Sequence, residues 1–388
     1  MEIEWLAQDA ETLAHTSRLK IDGKATLSPL AAQVTAPSRA ASSRELGLSP
    51  KSSLVVTGEM LTRQTLEAVG YNRGATDDLM GRMKGKMIPG RINLVFTRIP
   101  SGYLMEGGTR IPAPKVDDLR ASALVDVQLE ADAPLIIPPL PTEIDSFALF
   151  ERILERTKVG IQTFNTKKEV VGYIPTTSHL DVVAEMIDSY VKNGVHFFAV
   201  DFSSATNQPS LMRTSVKKIR EATRIRKHGS DRQEKYYLHV FNVSTAKKST
   251  QSVSPITDII VHPYGVDSTS GVMWGGGKLD VDTMRYYSTY DYGHYRRAGL
   301  PKGGIPCSCS VCSKYGAKEL FDAGPNAAYE RLRSHRIASY AEECNRISDK
   351  ITASKPQESY WPYLLTKEKA KPEIQGVLHD VREVQAML

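Results

Sequence analysis

Three of the four cysteines of this 388-residue chain lie within six positions, at Cys307, Cys309 and Cys312. Thiolates this close together in a cysteine-poor protein more often share a metal ion than pair as disulfides, so the stretch predicts a metal-binding loop. His335 is the predicted fourth ligand, on a helix indicated by apolar residues at spacings of three and four. A Cys3His set is typical of a closed tetrahedral site, which predicts a structural Zn²⁺. The alternatives are incidental cysteines beside a surface histidine, or another histidine as the fourth ligand, such as His262 or His294.

The composition is that of an ordinary soluble globular protein, with 41% hydrophobic and 24% charged residues. No run of eighteen apolar residues occurs, and the acidic start of the chain does not resemble a signal peptide. We therefore expect a cytoplasmic protein without a membrane partner, and so few cysteines agree with a reducing compartment. The net charge of +6 discriminates poorly between a nucleic-acid enzyme and any other basic protein.

Short apolar runs alternate with helical patterns after residue 53. The predicted strands are 53–57, 92–97, 133–137, 196–200, 237–241 and 258–261, and the clearest helices are 60–69, 145–157 and 179–193. This alternation predicts an α/β fold whose parallel sheet is covered on both faces. Periodicity does not choose between a closed barrel and an open sheet. Short strands with a hairpin at Asp22-Gly23 are predicted before this region.

The cysteine and histidine pattern resembles the zinc subdomain of the tRNA-guanine transglycosylase superfamily. The stretch 306–309 is similar to its archaeal form, and His335 opens a helix that continues to Tyr340, as in the family. The resemblance implies a (β/α)8 TIM barrel over residues 1–355, with an N-terminal antiparallel sheet over about 1–60 and an inserted zinc subdomain over about 284–345. Residues 356–388 would form a C-terminal tail. It also implies a homodimer through the zinc-subdomain region.

The segment that ends at Ser270 is similar to the nucleophile motif of this family and places Asp267 on the nucleophilic aspartate. A carboxylate that forms a covalent glycosyl-enzyme intermediate divides base exchange into two displacements. Ser268 would orient that carboxylate. Two alternatives stay open: Asp267 caps a turn, or Asp291 is the nucleophile.

The motif at the end of the first strand is incomplete by comparison with the family. Ser101, Gly102 and Tyr103 resemble the turn and the aromatic platform that stacks on the base, but Pro100 stands where the family has an aspartate. Another acid would then have to handle the base, or the exchange is altered or absent.

Two acids are candidate substitutes for the missing aspartate. Asp132 precedes one apolar strand, and Asp201 ends another, where a helix N-cap explains it equally well. The glutamine that reads the base in the family is also missing. Gln162 and Asn242 are candidate base contacts.

Aromatic residues alternate with arginines just before the cysteines. Arg285, Arg296 and Arg297 lie among these tyrosines and are predicted to bind nucleic acid, although the tyrosines are equally suited to packing the zinc subdomain. A second basic cluster, 217–232, is explained equally well by a solvated helix face.

The leading hypothesis is a zinc-containing transglycosylase that exchanges guanine for a 7-deazaguanine, such as 7-cyano-7-deazaguanine, in DNA or tRNA. The divergent first-strand motif and the short tail favour DNA slightly. The alternative is a non-catalytic relative that binds nucleic acid or pairs with an active subunit. A third hypothesis is an enzyme that acts on a small nucleoside or on a deazapurine already inserted.

Overall fold

The computed structural model describes residues 1–35, 54–100, 103–106, 109–144, 147–175, 179–203, 209–227, 230–245, 251–271, 280–353 and 359–387. The strands are β1 (Glu2–Gln8), β2 (His15–Ile21), β3 (Lys24–Leu27), β4 (Leu30–Ala31), β5 (Gln33–Thr35), β6 (Leu54–Met60), β7 (Ile92–Arg98), β8 (Tyr103–Glu106), β9 (Thr109–Pro112), β10 (Leu135–Ile136), β11 (Glu169–Val170), β12 (Gly172–Ile174), β13 (Phe197–Asp201), β14 (Arg224–Lys227), β15 (Ser230–Gln233), β16 (Tyr237–Val243), β17 (Val253–Pro255), β18 (Ser268–Gly271), β19 (Arg285–Ser288) and β20 (Gly293–Arg296). The α-helices are α1 (Arg63–Ala68), α2 (Arg73–Lys84), α3 (Asp118–Glu130), α4 (Phe147–Thr163), α5 (Leu180–Lys192), α6 (Pro209–Ala222), α7 (Pro325–Ala353), α8 (Trp361–Leu365) and α9 (Lys371–Met387).

Two five-stranded parallel sheets form the centre of the molecule. Their strand orders are β11-β10-β7-β6-β5 and β12-β13-β16-β18-β4. The Phe96 ring on β7 lies 5.4 Å from the Tyr173 ring on β12 and 5.0 Å from the Phe241 ring on β16, measured between centroids. The two sheets therefore face each other across a common apolar interior, and the predicted α/β class with parallel strands is confirmed.

Helices α2 to α6 alternate with these strands and bury one side each. Asn72 and Asp117 begin two of them, since each side chain accepts a hydrogen bond from a backbone N–H of the first turn. Gly160 on α4 lets α3 approach closely, because a β-carbon there would lie 2.6 Å from a methyl group of Leu129. The alternation predicted from the apolar runs is thus present, with α1 beginning three residues later than the helix predicted from residue 60.

The antiparallel sheet β1-β2-β3 caps the amino ends of the parallel strands. Its hairpin lies at Asp22 and Gly23, which adopt φ values of 49° and 74°, as the sequence predicted. The Trp5 indole N–H donates to the Tyr236 carbonyl just before β16, and Lys24 donates to the Arg91 carbonyl just before β7. This sheet ends at Leu27 rather than at about residue 60, because the next strands pair in parallel.

A smaller antiparallel sheet, in the order β17-β20-β19, lies beside the long helix α7. It has its own apolar cluster, which includes Tyr286, Tyr295, Leu320, Phe321 and Leu332. Helix α7 also packs against β1, β2 and β4. Helix α7 therefore packs against both the small sheet and the amino-terminal sheet and connects the two.

The residues after 355 belong to the main core as far as they are described. Helix α9 buries Ile374, Val377, Val381 and Val384 and packs against α6. In the described part of the chain, no helix combines the length and the apolar character needed to cross a membrane.

One predicted strand is wrong. Residues 258–261 form bends and a turn that lead into a short 3-10 helix, His262–Tyr264, and the next parallel strand is β18. The Asp258 carboxylate is buried and accepts hydrogen bonds from Tyr287 (3.0 Å) and Arg336 (2.8 Å), so this segment is held by side-chain contacts rather than by a ladder. Strand β18 escaped prediction because its residues are serine, threonine and glycine.

Candidate metal centre and strand-end carboxylates

Cys307, Cys309, Cys312 and His335 lie together and are placed to bind a metal such as zinc. Their ligand atoms all lie within 4.8 Å of one another. The His335 Nδ1 atom lies 3.3 Å from the Cys309 sulfur and 3.2 Å from the Cys312 sulfur. Zinc bonds of about 2.0 to 2.3 Å in a tetrahedron put neighbouring ligand atoms roughly 3.5 to 3.8 Å apart, close to this spacing.

The surroundings of His335 fix which of its nitrogens faces the thiols. Its Nε2 lies 2.6 Å from the Tyr287 carbonyl, so Nε2 carries the proton and Nδ1 presents a lone pair to the site. The Tyr286 ring stacks on the imidazole at 4.2 Å. The backbone N–H of Cys312 points at the Cys309 sulfur at 3.3 Å, which suits a thiolate. The four donor atoms and their supporting contacts thus fit a thiolate-bound metal. His262 and His294, the alternative fourth ligands, are not part of this group.

A second group of polar side chains lies at the carboxyl ends of strands in the second parallel sheet. Asp201, the last residue of β13, is fully buried. Its carboxylate accepts hydrogen bonds from the Tyr173 hydroxyl (3.0 Å), the Asn242 amide (2.8 Å) and the Ser203 backbone N–H (2.7 Å). Asn242 adopts a φ of 57°, an uncommon conformation that departs from the regular alternation of β16. The structure therefore brings together two residues predicted separately, Asp201 and Asn242.

Burial and the neighbouring positive charge shift the pKa of Asp201 in opposite directions. Desolvation raises the pKa of its carboxyl above the ordinary value of 3.8, whereas the Arg98 guanidinium and the three hydrogen bonds favour the charged form. Burial and the neighbouring Asp201 charge raise the pKa of Tyr173 well above 10, so the hydroxyl stays protonated and donates. A carboxyl whose protonation is balanced in this way is suited to proton transfer or to nucleophilic attack.

A buried histidine lies between two serines of β18. The His239 Nδ1 atom lies 2.8 Å from the Ser268 hydroxyl, and Nε2 lies 3.2 Å from the Ser270 hydroxyl. Burial lowers the pKa of His239 to about 3, so the imidazole is neutral. Its ring also lies parallel to the Phe241 ring, at 6.0 Å. Ser268 is therefore bound to the interior histidine and does not orient Asp267 through its side chain.

Asp267 lies at the opposite end of the same sheet from Asp201. It precedes the first residue of β18 and is fully buried. Its carboxylate accepts hydrogen bonds from the hydroxyls of Ser17 and Ser28 (2.9 Å for Ser28) and from the Leu238 backbone N–H (2.8 Å). These partners tie the amino-terminal sheet to β16 and β18. The carboxylate therefore bonds to distant residues rather than capping its own turn, which differs from the turn-capping alternative, and its role as nucleophile stays a prediction.

His15 extends the contacts around Asp267. Its Nε2 atom lies 3.1 Å from the carboxylate oxygen, in a direction unsuited to a hydrogen bond, so the contact is ionic at most. Its Nδ1 atom lies 3.2 Å from the Leu13 carbonyl, and its ring stacks on Trp5 at 4.3 Å. The carboxylate is thereby enclosed beneath the capping sheet.

The other predicted acids and base contacts lie elsewhere. Asp132 is exposed and lies in the turn before β10, at the amino end of that strand. Asp291 stabilises the turn between β19 and β20, where it accepts from Ser288 (2.7 Å) and the Gly293 N–H (3.1 Å). Gln162 is exposed on α4. Ser101 and Gly102 lie outside the described residues, and for Tyr103 only the backbone, at the start of β8, is described.

The three predicted nucleic-acid arginines flank the small antiparallel sheet. Arg285 donates to the backbone carbonyls of His294 and Gln251, both at 3.0 Å, and burial lowers its pKa. Arg297 pairs with Asp322 on the surface. Arg296 pairs with Arg285 across the β19–β20 ladder. Arg285 therefore has a packing role here, and binding to nucleic acid stays a prediction for all three.

Three residues around the buried carboxylates were not predicted from the sequence: Tyr173 and Arg98, which act on Asp201, and His239, which contacts β18. Each is a polar residue inside or at the end of an otherwise apolar strand, and this pattern in the sequence could have indicated them.

Neither a scan against protein-family models nor a search of curated proteins found a match to this chain.

Proposed function

We infer that the two parallel sheets close into one eight-stranded (β/α)8 barrel. Only Ala32 separates β4 from β5, and only Val171 separates β11 from β12, so each pair is one nearly continuous strand shared by both sheets. Joining the sheets at these two strands gives eight parallel strands in cyclic chain order. Active sites of such barrels lie at the carboxyl ends of the strands, where Asp201 lies.

We also propose that the Cys3His group holds a structural Zn²⁺. Four protein ligands close a tetrahedral site and leave no position for a substrate or a reactive water. The bound metal would join the loop of Cys307 to Cys312 to helix α7 and so hold the small sheet against the main body.

We propose that the chain is a nucleic-acid guanine transglycosylase, which exchanges guanine for a 7-deazaguanine such as 7-cyano-7-deazaguanine in DNA or tRNA. The supporting observation is the convergence of Asp201, Tyr173 and Asn242, with the charge of Arg98 nearby, at the carboxyl ends of the strands. A deeply held carboxylate with amide and hydroxyl neighbours suits both recognition of a base and attack on a sugar carbon. The resemblance of the metal loop supports the same class.

In this proposal Asp201 supplies the carboxylate. Its oxygen forms a bond to C1′ of the target sugar as the bond from C1′ to the guanine breaks, and the electron pair leaves with the base. The incoming deazaguanine then attacks C1′ and displaces the carboxylate. One base gains a proton and the other loses one, so the exchange is balanced. Asp267 is not given this role here, because it lies at the amino end beneath β1 to β3.

The experiment is incubation with labelled guanine or deazaguanine and, in parallel, tRNA and duplex DNA. Uptake of label into one polymer is expected, and Asp201→Asn should abolish both uptake and any denaturant-resistant adduct between protein and polynucleotide. Asp132→Asn is the matched control, since Asp132 is an exposed acid away from the strand ends. An adduct that survives Asp201→Asn but is lost in a folded Asp267→Asn variant would show that Asp267, not Asp201, is the nucleophile.

A second candidate is a non-catalytic relative that binds nucleic acid or pairs with an active subunit. The enclosure of Asp267 at the amino end favours it, because the carboxylate placed on the family's nucleophile has a structural position. Binding of DNA or tRNA by a zinc-loaded protein that takes up no label into either polymer would select this candidate.

A further inference from the structure

A cleft of about 520 Å³ lies against the outer side of the metal loop. Its lining includes Tyr290, Cys307, Ser308, Arg346, Tyr363 and Lys367. The volume falls in the range of small-ligand sites. The cleft is assembled from segments far apart in the chain, and none of the functional residues predicted from the sequence, apart from Cys307, lines it.

The two cations that line the cleft are held in place by one buried carboxylate. The Glu343 carboxylate is fully buried and receives the hydroxyls of Tyr292 (2.9 Å) and Tyr363 (2.6 Å), the Arg346 guanidinium (2.9 Å) and the Lys367 ammonium (3.0 Å). Two cations thus share one buried counter-ion. A preorganised cation loses little conformational entropy when it meets an anion.

The remaining charges around the cleft nearly balance these cations. The Arg346 guanidinium also reaches Ser308 Oγ at 3.2 Å and Glu342 at 3.5 Å, and the Lys350 ammonium lies 5.9 Å from the centroid of the Tyr363 ring. Asp291 also lies close enough to Lys367 to interact with its charge, so Asp291, Glu342 and Glu343 offset the cations Arg346, Lys350 and Lys367. The charge open to a ligand is therefore that of the half-exposed Arg346 guanidinium, which suits one phosphate contact rather than a polyanion bound along the cleft.

Tyr290 gives the rim a flat aromatic surface open to solvent. It is 62% exposed, in contrast to Tyr286, Tyr287, Tyr292 and Tyr295 of the same run, which are buried. It lies in the turn between β19 and β20, which Asp291 holds through its bonds to Ser288 and Gly293. An exposed tyrosine on a fixed turn at the mouth of a cleft suits stacking with a planar ring.

We propose that this cleft binds one nucleotide of a single strand, with its base stacked on Tyr290 and its phosphate at Arg346. This inference rests on the proposed function in one respect, namely that the polymer substrate is a nucleic acid. It adds a binding contact for that polymer outside the strand-end site. Base stacking supplies most of the affinity, since stacking on an aromatic side chain tolerates any base. A strand held here would lie beside the metal loop, so the metal loop would form part of the binding surface.

The test is fluorescence anisotropy of a labelled oligothymidylate with the zinc-loaded full chain. This strand contains no guanine, so it reports binding independently of base exchange. Tyr290→Ala should weaken binding about fivefold or more, and Tyr290→Phe should restore it. The matched control is Tyr71→Ala, because Tyr71 is 61% exposed and lies outside the small sheet, in the turn before α2. One phosphate contact predicts a log-log salt slope of about −0.7.

Two outcomes would overturn the inference: wild-type protein that binds no oligothymidylate, or equal affinities for the Tyr290→Ala and Tyr71→Ala variants. Its failure is distinct from that of the proposed function. If the cleft assignment alone is wrong, Tyr290→Ala binds the strand normally while Asp201→Asn still abolishes label uptake. If the function alone is wrong, no polymer takes up label while the stacking effect of Tyr290 persists.

Discussion

Asp201 and Asp267 are both fully buried, and each accepts three hydrogen bonds, yet they lie at opposite ends of one parallel sheet. The partners of Asp267 include Ser17 and Ser28, which belong to the amino-terminal cap and to the chain just after it. The partners of Asp201 come from the ends of β12 and β16 and from the residues that follow β13. One carboxylate joins two layers of the fold, and the other binds polar groups at the carboxyl ends of the strands.

Burial and the number of hydrogen bonds are the same for both carboxylates, so these two properties do not distinguish a structural acid from the proposed catalytic one. Asp267 was singled out from a motif of neighbouring residues, whereas its position relative to the strand direction decides which groups it meets.

Removal of the metal should loosen the Asp267 end of the sheet more than the Asp201 end, because α7 carries His335 and packs on β1, β2 and β4. The binding free energy of structural zinc, of the order of 10 kcal/mol in small zinc domains, would be lost from the folded state. Hydrogen exchange with and without a chelator measures this. Cys309→Ser should behave like the chelated protein. Cys344→Ser, at the cysteine outside the cluster, should keep one zinc per chain. Equal loosening at both ends would contradict the mechanical role of α7.

Asp267→Ala should destabilise the protein by about 3 to 5 kcal/mol, since it leaves buried donors and the His15 side chain without their partner. Chemical denaturation gives the free energy of unfolding, with Asp267→Asn as a milder variant that keeps the shape. Ser28→Ala removes one of the three hydrogen bonds to Asp267 and also the acceptor of the buried Ser17 N–H, so it should cost about 2 kcal/mol. A stable Asp267→Ala protein that has lost the polynucleotide adduct would reverse the assignment of the two aspartates.

Asp201→Asn should lower the rate of base exchange by about 100-fold or more while changing the free energy of unfolding by about 1 kcal/mol or less. Asparagine keeps an acceptor for the Tyr173 hydroxyl but cannot form an ester or carry a proton. Label uptake and chemical denaturation are measured on the same preparation. A large loss of stability with an unchanged rate would make Asp201 structural, like Asp267.

The pH dependence of stability should also distinguish wild type from Asp201→Asn. Because the folded-state pKa of Asp201 is raised, its protonated form stabilises the fold at low pH, and that contribution is lost as pH rises from about 3.9 through the folded-state value. The variant should therefore gain stability relative to wild type as pH rises above about 4. Denaturation of both proteins at several pH values between 4 and 7 measures the difference. A constant difference over this range would mean that the pKa is not raised.

The candidate metal group and most of the secondary structure could be predicted from local sequence. Cysteines at 307, 309 and 312 are close whatever the fold, and the spacing of apolar residues on α7 places His335 on a buried face. Strands such as β7 and β13 are largely apolar runs, so they can be recognised in the sequence without knowledge of the tertiary structure.

The strand-end group could be predicted only in part. Asp201 at the end of β13 and Asn242 near the end of β16 could be predicted because the ends of apolar strands can be located in the sequence. Their contact with each other, and with Tyr173, depends on strand order and on the unusual φ of Asn242. Strand β18 was missed because its polar side chains are satisfied by His239, a partner 29 residues away.

The sequence by itself determined which residues form the candidate metal group and where most of the strands and helices lie, because those properties depend largely on local patterns. Tertiary structure alone decided that Asp201 lies at the carboxyl end of its sheet and Asp267 at the amino end, beneath a cap that comes from residues 2–27. The physical reason is that a carboxylate's surroundings are set by strand direction and by partners up to 250 positions away, and no local pattern encodes either.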